Sequence, residues 1–237
     1  MQYFFFYAKI HCMDILKSLK NKIIVSVQAM PNEPFYDEKC LLAMLQSVVN
    51  GGASGLRVAG ARDVRNAKHF NLPVIGLTKP DVLPQNWKSV VYITPTLEDV
   101  ELLINAGADI IAFDGTSRPR PNCNLRDIID KIHSFGRIAM ADISTLEEGL
   151  NCAQLGADII STTLAGYTDD SLTDSDSPSF ELLENLVKNA EKPIFLEGRV
   201  WNPDEVKKAF EIGAHSVVIG SAITRPHLIT KRFVEGV

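Results

Sequence analysis

The stretch Pro193-Ile-Phe-Leu-Glu-Gly-Arg199 places a short apolar run directly before a carboxylate, a glycine and a cation. The run does not alternate between polar and apolar residues, and Pro and Gly bound it, which is typical of a parallel strand buried on both faces. We therefore expect Glu197 at the carboxyl end of a strand, where α/β folds bind their ligands. Alone, the pattern also fits an ordinary strand end whose glutamate is solvated or salt-bridged.

Similar apolar runs occur along the whole chain and alternate with segments of helical apolar spacing. The predicted strands are Ile23–Val27, Gly55–Val58, Val74–Leu77, Asp109–Phe113, Arg137–Ala141, Asp158–Ser161, Ile194–Leu196 and Ser216–Ile219. Thr145-x-x-Glu148 predicts a capping box at one helix start, and Asn202-Pro203 predicts an N-cap at another. This alternation indicates right-handed βαβ units around a parallel sheet.

An internal repeat decides between an open and a closed sheet. A helix end followed by Gly-Ala and a strand begins at Gly52, Gly107, Gly156 and Gly213, at spacings of 55, 49 and 57 residues. Each spacing holds about two βα units, so four repeats give eight strands, and each glycine is expected to end its helix in a left-handed conformation. No Gly-x-Gly-x-x-Gly loop follows the first strand, as an open nucleotide-binding sheet would require. The sequence therefore predicts an α/β fold, a (β/α)8 TIM barrel.

The composition fits one domain and excludes several classes of function. A chain of 237 residues with 46% hydrophobic and 22% charged residues can bury a large core. A net charge of −5 and a pI near 5.6 argue against binding to nucleic acid or to an anionic membrane. No apolar run approaches the about 20 residues of a membrane helix. The four cysteines have no metal-ligand spacing and fit a reducing cytoplasm.

The N-terminus differs from the rest of the chain. Residues 1–12 hold five aromatic residues within the first seven and lack the features of a signal peptide. A second methionine, Met13, opens an ordinary helical segment. We expect residues 1–12 to be an extension outside the fold, and residues 13–237 to form a single barrel domain.

Polar residues stand at all eight predicted strand ends, which meet at one mouth in a barrel. They are Gln28, Arg57, Lys79, Asp114, Asp142, Thr162-Thr163, Glu197-Gly-Arg199 and Gly220-Ser221. Burying so many polar and charged groups together is costly unless they pair with one another or with a ligand. For Asp114 and Thr163 individually, we expect solvated strand-end residues.

Lys79 and Glu197 are the candidates for chemistry. Lys79 follows an apolar strand and precedes a proline, so it could form a Schiff base, transfer a proton with a lowered pKa, or neutralise a carboxylate. Glu197 stands four strands away and can face it across the mouth. A gap between the two suits proton transfer, whereas direct contact makes only a salt bridge.

Other strand-end residues suit the binding of a phosphorylated ligand. Gly198 and Gly220-Ser221 follow strands seven and eight, where barrels commonly hold phosphate, and Gly166 lies in a long polar loop after strand six. Gln28 and Arg57 can recognise hydroxyl, carbonyl or amide groups. Arg225 fits a ligand contact and a surface helix start equally well. The five histidines share no spacing with carboxylates, so we predict no metal site.

Taken in order, these segments resemble the bacterial N-acylglucosamine-6-phosphate (N-acetylmannosamine-6-phosphate) 2-epimerases of sialic acid catabolism. The resemblance runs from about Met13 to the C-terminus. The matching segments are Ile24–Gln28, Gly55–Arg57, Pro73–Lys79, Tyr92–Thr96, Met140–Ser144, Thr162–Thr168 and Leu196–Arg199.

The resemblance implies a barrel of the ribulose-phosphate-binding type and an isomerase that inverts C2 without metal or redox cofactor. Its implied catalytic pair is Lys79 and Glu197. The sugar and its N-acetyl group would be bound by Gln28, Arg57, Asp142 and Arg225. The phosphate would be bound by Gly166, Gly198, Arg199, Gly220 and Ser221. The expected partner is a phosphorylated N-acetylhexosamine, the expected location is cytoplasmic, and a homodimer is left open.

Two other functions fit the same residues. A Schiff-base barrel of the aldolase type would use Lys79 as its nucleophile. A phosphosugar-binding barrel without chemistry would use the same phosphate cup. Fold analogy alone does not choose among the three.

Overall fold

The computed structural model describes residues 12–236, so residues 1–11 of the expected N-terminal extension lie outside the described part. Eight parallel strands pair in sequence order, and the last pairs with the first to close a barrel. The strands are β1 (Lys22–Val27), β2 (Gly55–Ala59), β3 (Val74–Leu77), β4 (Ile110–Asp114), β5 (Ile138–Asp142), β6 (Ile159–Ser161), β7 (Ile194–Glu197) and β8 (Ser216–Ile219). The predicted (β/α)8 TIM barrel is confirmed.

Helices join the strands and cover the outside of the barrel. They are α1 (residues 12–19), α2 (Glu38–Asn50), α3 (Ala61–Lys68), α4 (Leu97–Ala106), α5 (Leu125–Ser134), α6 (Leu146–Leu155), α7 (Phe180–Asn189), α8 (Pro203–Ile212), α9 (Ser221–Thr224) and α10 (Pro226–Glu235). Cys12, assigned above to the extension, is the first described residue of α1. Among residues 12–236, no helix has the length and apolar character needed to span a membrane.

The helix ends follow the capping residues in the sequence. Thr145 and Asn202 both form the predicted N-caps, each as a complete capping box. Gly107, Gly156 and Gly213 end their helices with φ of 97°, 107° and 113°, a left-handed conformation that glycine adopts without steric cost. These caps turn each helix back into the next strand, and so they produce the repeat seen in the sequence.

Apolar side chains fill both sides of the sheet. One cluster lies inside the barrel and includes Ile24, Ile110 and Phe195, while a larger cluster lies between the strands and the outer helices. Ile15 and Leu19 of α1 join the interior cluster at the amino ends of the strands. Because that end is filled with apolar side chains, the polar side chains of the interior are left to the carboxyl ends.

Strands β4 and β5 begin and end one residue later than predicted. The Asp109 carboxylate accepts hydrogen bonds from the Val74 backbone N–H and the Lys68 ammonium, so this residue belongs to the turn before β4. At the other end, Asp114 and Asp142 become paired terminal residues of the two strands. Both are fully buried, which places two carboxylates inside the carboxyl end of the barrel.

Candidate active site

One cavity of about 550 Å³ opens at the carboxyl end of the barrel. Nine of the predicted site residues line it. They are Gln28, Lys79, Gly166, Glu197, Gly198, Arg199, Gly220, Ser221 and Arg225. The remaining two, Arg57 and Asp142, are fully buried. They pair with each other behind Glu197, which Arg57 contacts and which lines the cavity. The structure therefore brings every predicted site residue to one end of the barrel.

A buried ion cluster joins three strands beside this cavity. Arg57 on β2 makes a bidentate contact with Asp142 on β5, with N–O distances of 2.6 and 3.2 Å. Its third nitrogen, Nε, lies 3.3 Å from Glu197 Oε1 on β7. The angle of that contact does not make a hydrogen bond, so charge attraction rather than a directed bond holds Glu197 against Arg57. The Glu197 carboxylate also lines the cavity.

Two adjacent threonines after β6 hold Glu197. The Thr162 hydroxyl bonds to the Glu197 backbone, at 3.1 Å from its N–H and 2.9 Å from its carbonyl oxygen. The Thr163 hydroxyl lies 2.7 Å from Asp142 Oδ1 and 3.0 Å from Glu197 Oε2. The expectation that Thr163 is a solvated strand-end residue is wrong, because the short 3-10 turn Thr162–Leu164 directs its side chain between the two carboxylates.

The surroundings of Glu197 favour its neutral form. Burial raises the pKa of this carboxyl to about 6, and the negative charge of Asp142 acts in the same direction, against Arg57 and Lys79. Only 14% of the side chain is exposed. Glu197 can therefore bind and release a proton near neutral pH, as a general acid or base requires.

Lys79 faces the same cavity from the loop after β3. Its ammonium donates to Gln28 Oε1 at 3.0 Å, and the Gln28 amide donates in turn to Ser26 Oγ at 2.8 Å. Partial loss of water around the ammonium in the mouth, together with the charge of Arg57, lowers the pKa of Lys79 to about 8, while Glu197 and Asp142 oppose the shift. Lys79 is itself exposed to solvent, which weakens the desolvation part of this shift and leaves the part that is due to the Arg57 charge.

Lys79 and Glu197 share the cavity without forming an ion pair. No carboxylate of residues 12–236 lies within 4.0 Å of the Lys79 ammonium. A ligand can therefore enter between the two groups. This is the arrangement that suits proton transfer to and from a bound molecule.

Arg225 is positioned by the loop after β1. Its Nη1 lies 3.0 Å from Glu33 Oε1, and the other oxygen of Glu33 accepts the Met30 backbone N–H at 2.9 Å. Arg225 also lines a second cavity of about 230 Å³, which shares Gln28 and Lys79 with the first. The guanidinium therefore stands between the two cavities, a position that the sequence could not supply because Glu33 gave no signal.

At the opposite side of the mouth, Arg199 holds the loop after β6. Its guanidinium donates to the carbonyl oxygens of Ala165 at 2.7 Å and Ser177 at 2.9 Å, and to Ser179 Oγ at 3.0 Å. Gly166 packs directly against it, and a Cβ there would collide with the guanidinium. Most Arg199 donors are thus used within the loop, so its main contact is with protein rather than with the cavity.

Asp114 was expected to be solvated, and this expectation is wrong. Its carboxylate accepts from Arg118 Nη2 at 2.5 Å and from Thr116 Oγ1 at 2.6 Å. Arg118 also donates to the carbonyl oxygens of Trp87 and Lys88. The group ties the long loop after β3 to the barrel. Asp114 is fully buried and lines none of the cavity that holds Lys79.

Among the described residues, no group of three or more His, Cys, Asp and Glu side chains has an arrangement that could hold a metal ion. The expectation that the chain uses no metal or cofactor stays a prediction.

Comparison with known proteins identifies the family. Residues 41–237 match the profile of the family described as "Putative N-acetylmannosamine-6-phosphate epimerase". A relative from Clostridium perfringens, named "Putative N-acetylmannosamine-6-phosphate 2-epimerase", is 46% identical over 224 residues, which cover 93% of this chain and 99% of the relative. A relative of the same name from Haemophilus influenzae is 42% identical over 97% of this chain and 98% of its own length.

Solved structures give the same result. The N-acetylmannosamine-6-phosphate 2-epimerase from C. perfringens superposes with a TM-score of 0.88 at 44% identity, over 94% of this chain and 96% of that one. A tryptophan synthase α-subunit from Pyrococcus furiosus reaches 0.64 at 13% identity, over 90% and 91% of the two chains, and shares the fold alone. With a family match over most of its length and relatives above 40% identity, the chain belongs to the N-acetylmannosamine-6-phosphate epimerase family.

Proposed function

We propose that this protein is an isomerase that interconverts N-acetylmannosamine 6-phosphate and N-acetylglucosamine 6-phosphate by proton transfer at C2. The observation that carries the proposal is that Lys79 and Glu197 line one cavity without forming an ion pair with each other. Their pKa values, about 8 and about 6, are displaced toward neutrality from opposite sides. Groups tuned in this way are suited to act as acid and base at physiological pH.

The reaction requires few groups. The sugar ring opens to an aldehyde, the proton on C2 beside the carbonyl is removed, and a proton returns to the other face of the enolate-like intermediate. In the proposal, Lys79 moves the C2 proton, and Glu197 assists ring opening or acts at the opposite face. The buried cation Arg57 lies beside Glu197 and can stabilise negative charge that develops there.

The lining of the two cavities suggests an orientation for the substrate. The phosphate would lie at Gly198, Gly220 and Ser221, where β7 and β8 end and where barrels of this architecture bind phosphate. Gly166 and Arg199 would shape this end through the loop that they hold. The sugar would extend from there toward Lys79.

The other end of the substrate would lie near the second cavity. With C2 at Lys79, the N-acyl group would enter the cavity of about 230 Å³ that Met30, Tyr36 and Ala59 help to line. Gln28 and Arg225 would contact the sugar between the two ends, and the buried Arg57–Asp142 pair would act on it through Glu197. We keep a cytoplasmic location and a possible homodimer within this proposal, and the four free cysteines agree with a reducing compartment.

Proton NMR in heavy water tests the proposal. With N-acetylmannosamine 6-phosphate, the wild-type protein should form the gluco epimer and lose the C2–H signal as deuterium enters. Lys79→Ala should abolish both changes while its circular dichroism spectrum stays native. Lys207→Ala, on the exposed face of α8, is the matched control and should retain both. Exchange at C2 that survives in Lys79→Ala would contradict the role of Lys79.

The lowered pKa of Lys79 also suits a Schiff-base nucleophile. Borohydride reduction separates the two mechanisms, because it would trap a covalent substrate adduct on Lys79 only in the Schiff-base case. A barrel that only binds the phosphosugar would show neither an adduct nor C2 exchange.

A further inference from the structure

The hydroxyl of Thr163 lies at the meeting point of three polar groups. Besides its contacts with Asp142 Oδ1 at 2.7 Å and Glu197 Oε2 at 3.0 Å, it lies 2.9 Å from Ser161 Oγ. The residue lines the cavity that holds Glu197. The proposed reaction assigns it no role, although it is the one side chain of residues 12–236 that hydrogen-bonds to both of these carboxyl groups.

Counting protons shows which state this geometry favours. A hydroxyl has one proton to donate and two lone pairs that accept. If Asp142 and Glu197 are both ionised, the Thr163 proton satisfies one carboxylate and a lone pair faces the other. If Glu197 is protonated, it donates to Thr163 while Thr163 donates to Asp142, and both contacts become hydrogen bonds.

Asp142 is suited to accept the Thr163 proton in this series of hydrogen bonds. It accepts two hydrogen bonds from Arg57, at 2.6 and 3.2 Å, which balance its negative charge. Glu197 has no such bidentate partner, because its contact with Arg57 Nε is longer and poorly directed. When the two carboxyl groups hold one proton between them, that proton therefore resides on Glu197.

We propose that Thr163 is a positioning residue that stabilises the acid form of Glu197, by accepting the Glu197 proton in a hydrogen bond and donating its own to Asp142. This inference rests on the proposed epimerase function. When Glu197 gives its proton to the substrate, the O–H bond of Glu197 breaks, a bond from that proton to the substrate forms, and the negative charge stays on Glu197. The Thr163 hydroxyl then turns to donate to Glu197, and Asp142 keeps its two bonds from Arg57.

The effect of the Thr163 hydroxyl on the pKa of Glu197 adds to that of the surrounding charged groups. Arg57 on β2, Lys79 after β3 and Asp142 on β5 are the charged groups that face it, and Thr162 holds its backbone. Apart from the bond with Ser161, which is lost in both states, removing the Thr163 hydroxyl takes two hydrogen bonds from the protonated state and one from the ionised state. A Thr163 hydroxyl that donated to an ionised Glu197 would lower the pKa of this carboxyl. Because the shorter contact is with Asp142, we expect the hydroxyl to donate there, so its removal costs the protonated state of Glu197 more and Glu197 should titrate at lower pH.

The change in the pKa of Glu197 can be measured from the pH dependence of kcat/KM for epimerisation. Glu197 controls the lower limb of a bell-shaped profile whether it acts as acid or as base, because both assignments give the same curve. Thr163→Val should lower kcat/KM and move the lower limb down by about half to one pH unit, the equivalent of one hydrogen bond. Thr163→Ser, which keeps the hydroxyl, should return the limb toward its wild-type position. Thr230→Val, on the exposed side of α10, should not move it.

Two results overturn the inference. A lower limb that stays in place in Thr163→Val shows a purely structural role, and one that moves up shows that Thr163 merely donates to an ionised Glu197. If the valine variant lacks a native circular dichroism spectrum, Thr163→Ala provides a second protein without the hydroxyl. A wild-type protein without epimerase activity would refute the proposed function instead, so the two failures are distinguishable.

Discussion

Two buried ion clusters at the carboxyl end of the barrel differ in what they leave unpaired. In the sealed cluster, Asp114 is bonded by Arg118 at 2.5 Å and by Thr116 at 2.6 Å, away from the cavity that holds Lys79. In the open cluster, Arg57 pairs with Asp142, while Glu197 and Lys79 face a cavity without pairing with each other. The sealed cluster satisfies its own charges and so stabilises a loop. The open cluster leaves two groups able to exchange protons with a ligand.

The largest expected effect is on catalysis in the open cluster. Glu197→Gln should lower kcat by about 10²–10⁴-fold, since the amide keeps the shape of the side chain but cannot transfer a proton. Steady-state epimerisation assays measure the change. Glu211→Gln, at an exposed glutamate of α8, should leave kcat unaffected. An active Glu197→Gln variant would remove the distinction between the two clusters.

The next effect is on stability in the sealed cluster. Asp114→Asn leaves the buried Arg118 charge without its partner, which should lower the free energy of unfolding by about 3–5 kcal/mol. Urea denaturation measures this loss, and kcat per folded molecule should stay within a few-fold of wild type. The reverse outcome, full stability with lost activity, would move Asp114 into the catalytic machinery.

A smaller effect has the opposite sign in the open cluster. The pKa of Glu197 rises from 4.5 to about 6 on folding, so the folded protein binds this proton more tightly than the unfolded chain does. Glu197 therefore destabilises the fold above pH 6, by roughly 2 kcal/mol, and imposes no such cost below about pH 4. Glu197→Gln should be more stable than wild type at pH 7.5 and equally stable at pH 4. Equal differences at both pH values would show that Glu197 titrates normally.

The smallest effect on kinetics is expected at the partly exposed Glu33–Arg225 pair, which lies beside the two cavities. Glu33→Gln removes the partner of Arg225, whose side chain is 28% exposed. Such partly exposed pairs are worth about 0.2–1 kcal/mol, so KM should rise only by about two- to five-fold, and kcat should not change. Initial rates over a range of substrate concentrations separate the two parameters. A large loss of kcat would place Arg225 at the reacting atoms.

The sequence predicts the barrel well because apolar runs, capping residues and the Gly-Ala repeat are local signals. Lys79 and Glu197 could also be predicted, because Glu197 ends an apolar strand and Lys79 follows another by two residues. The directions of the side chains around the mouth of the barrel could not be predicted from the sequence. Thr163 points between two carboxylates only because a 3-10 turn follows β6, and Arg199 turns into its loop with a φ of 56°. Contacts between distant strands decide such details, and no local pattern encodes them.

The dependence of kcat/KM on pH, measured for epimerisation by the wild-type protein and by Glu197→Gln, tests the central contrast most directly. We predict a bell for the wild type with limbs near pH 6 and pH 8, the displaced pKa values of Glu197 and Lys79. The lower limb should vanish in the residual activity of the variant. A flat wild-type profile between those limbs and well beyond them, or a lower limb that persists in Glu197→Gln, would contradict the account.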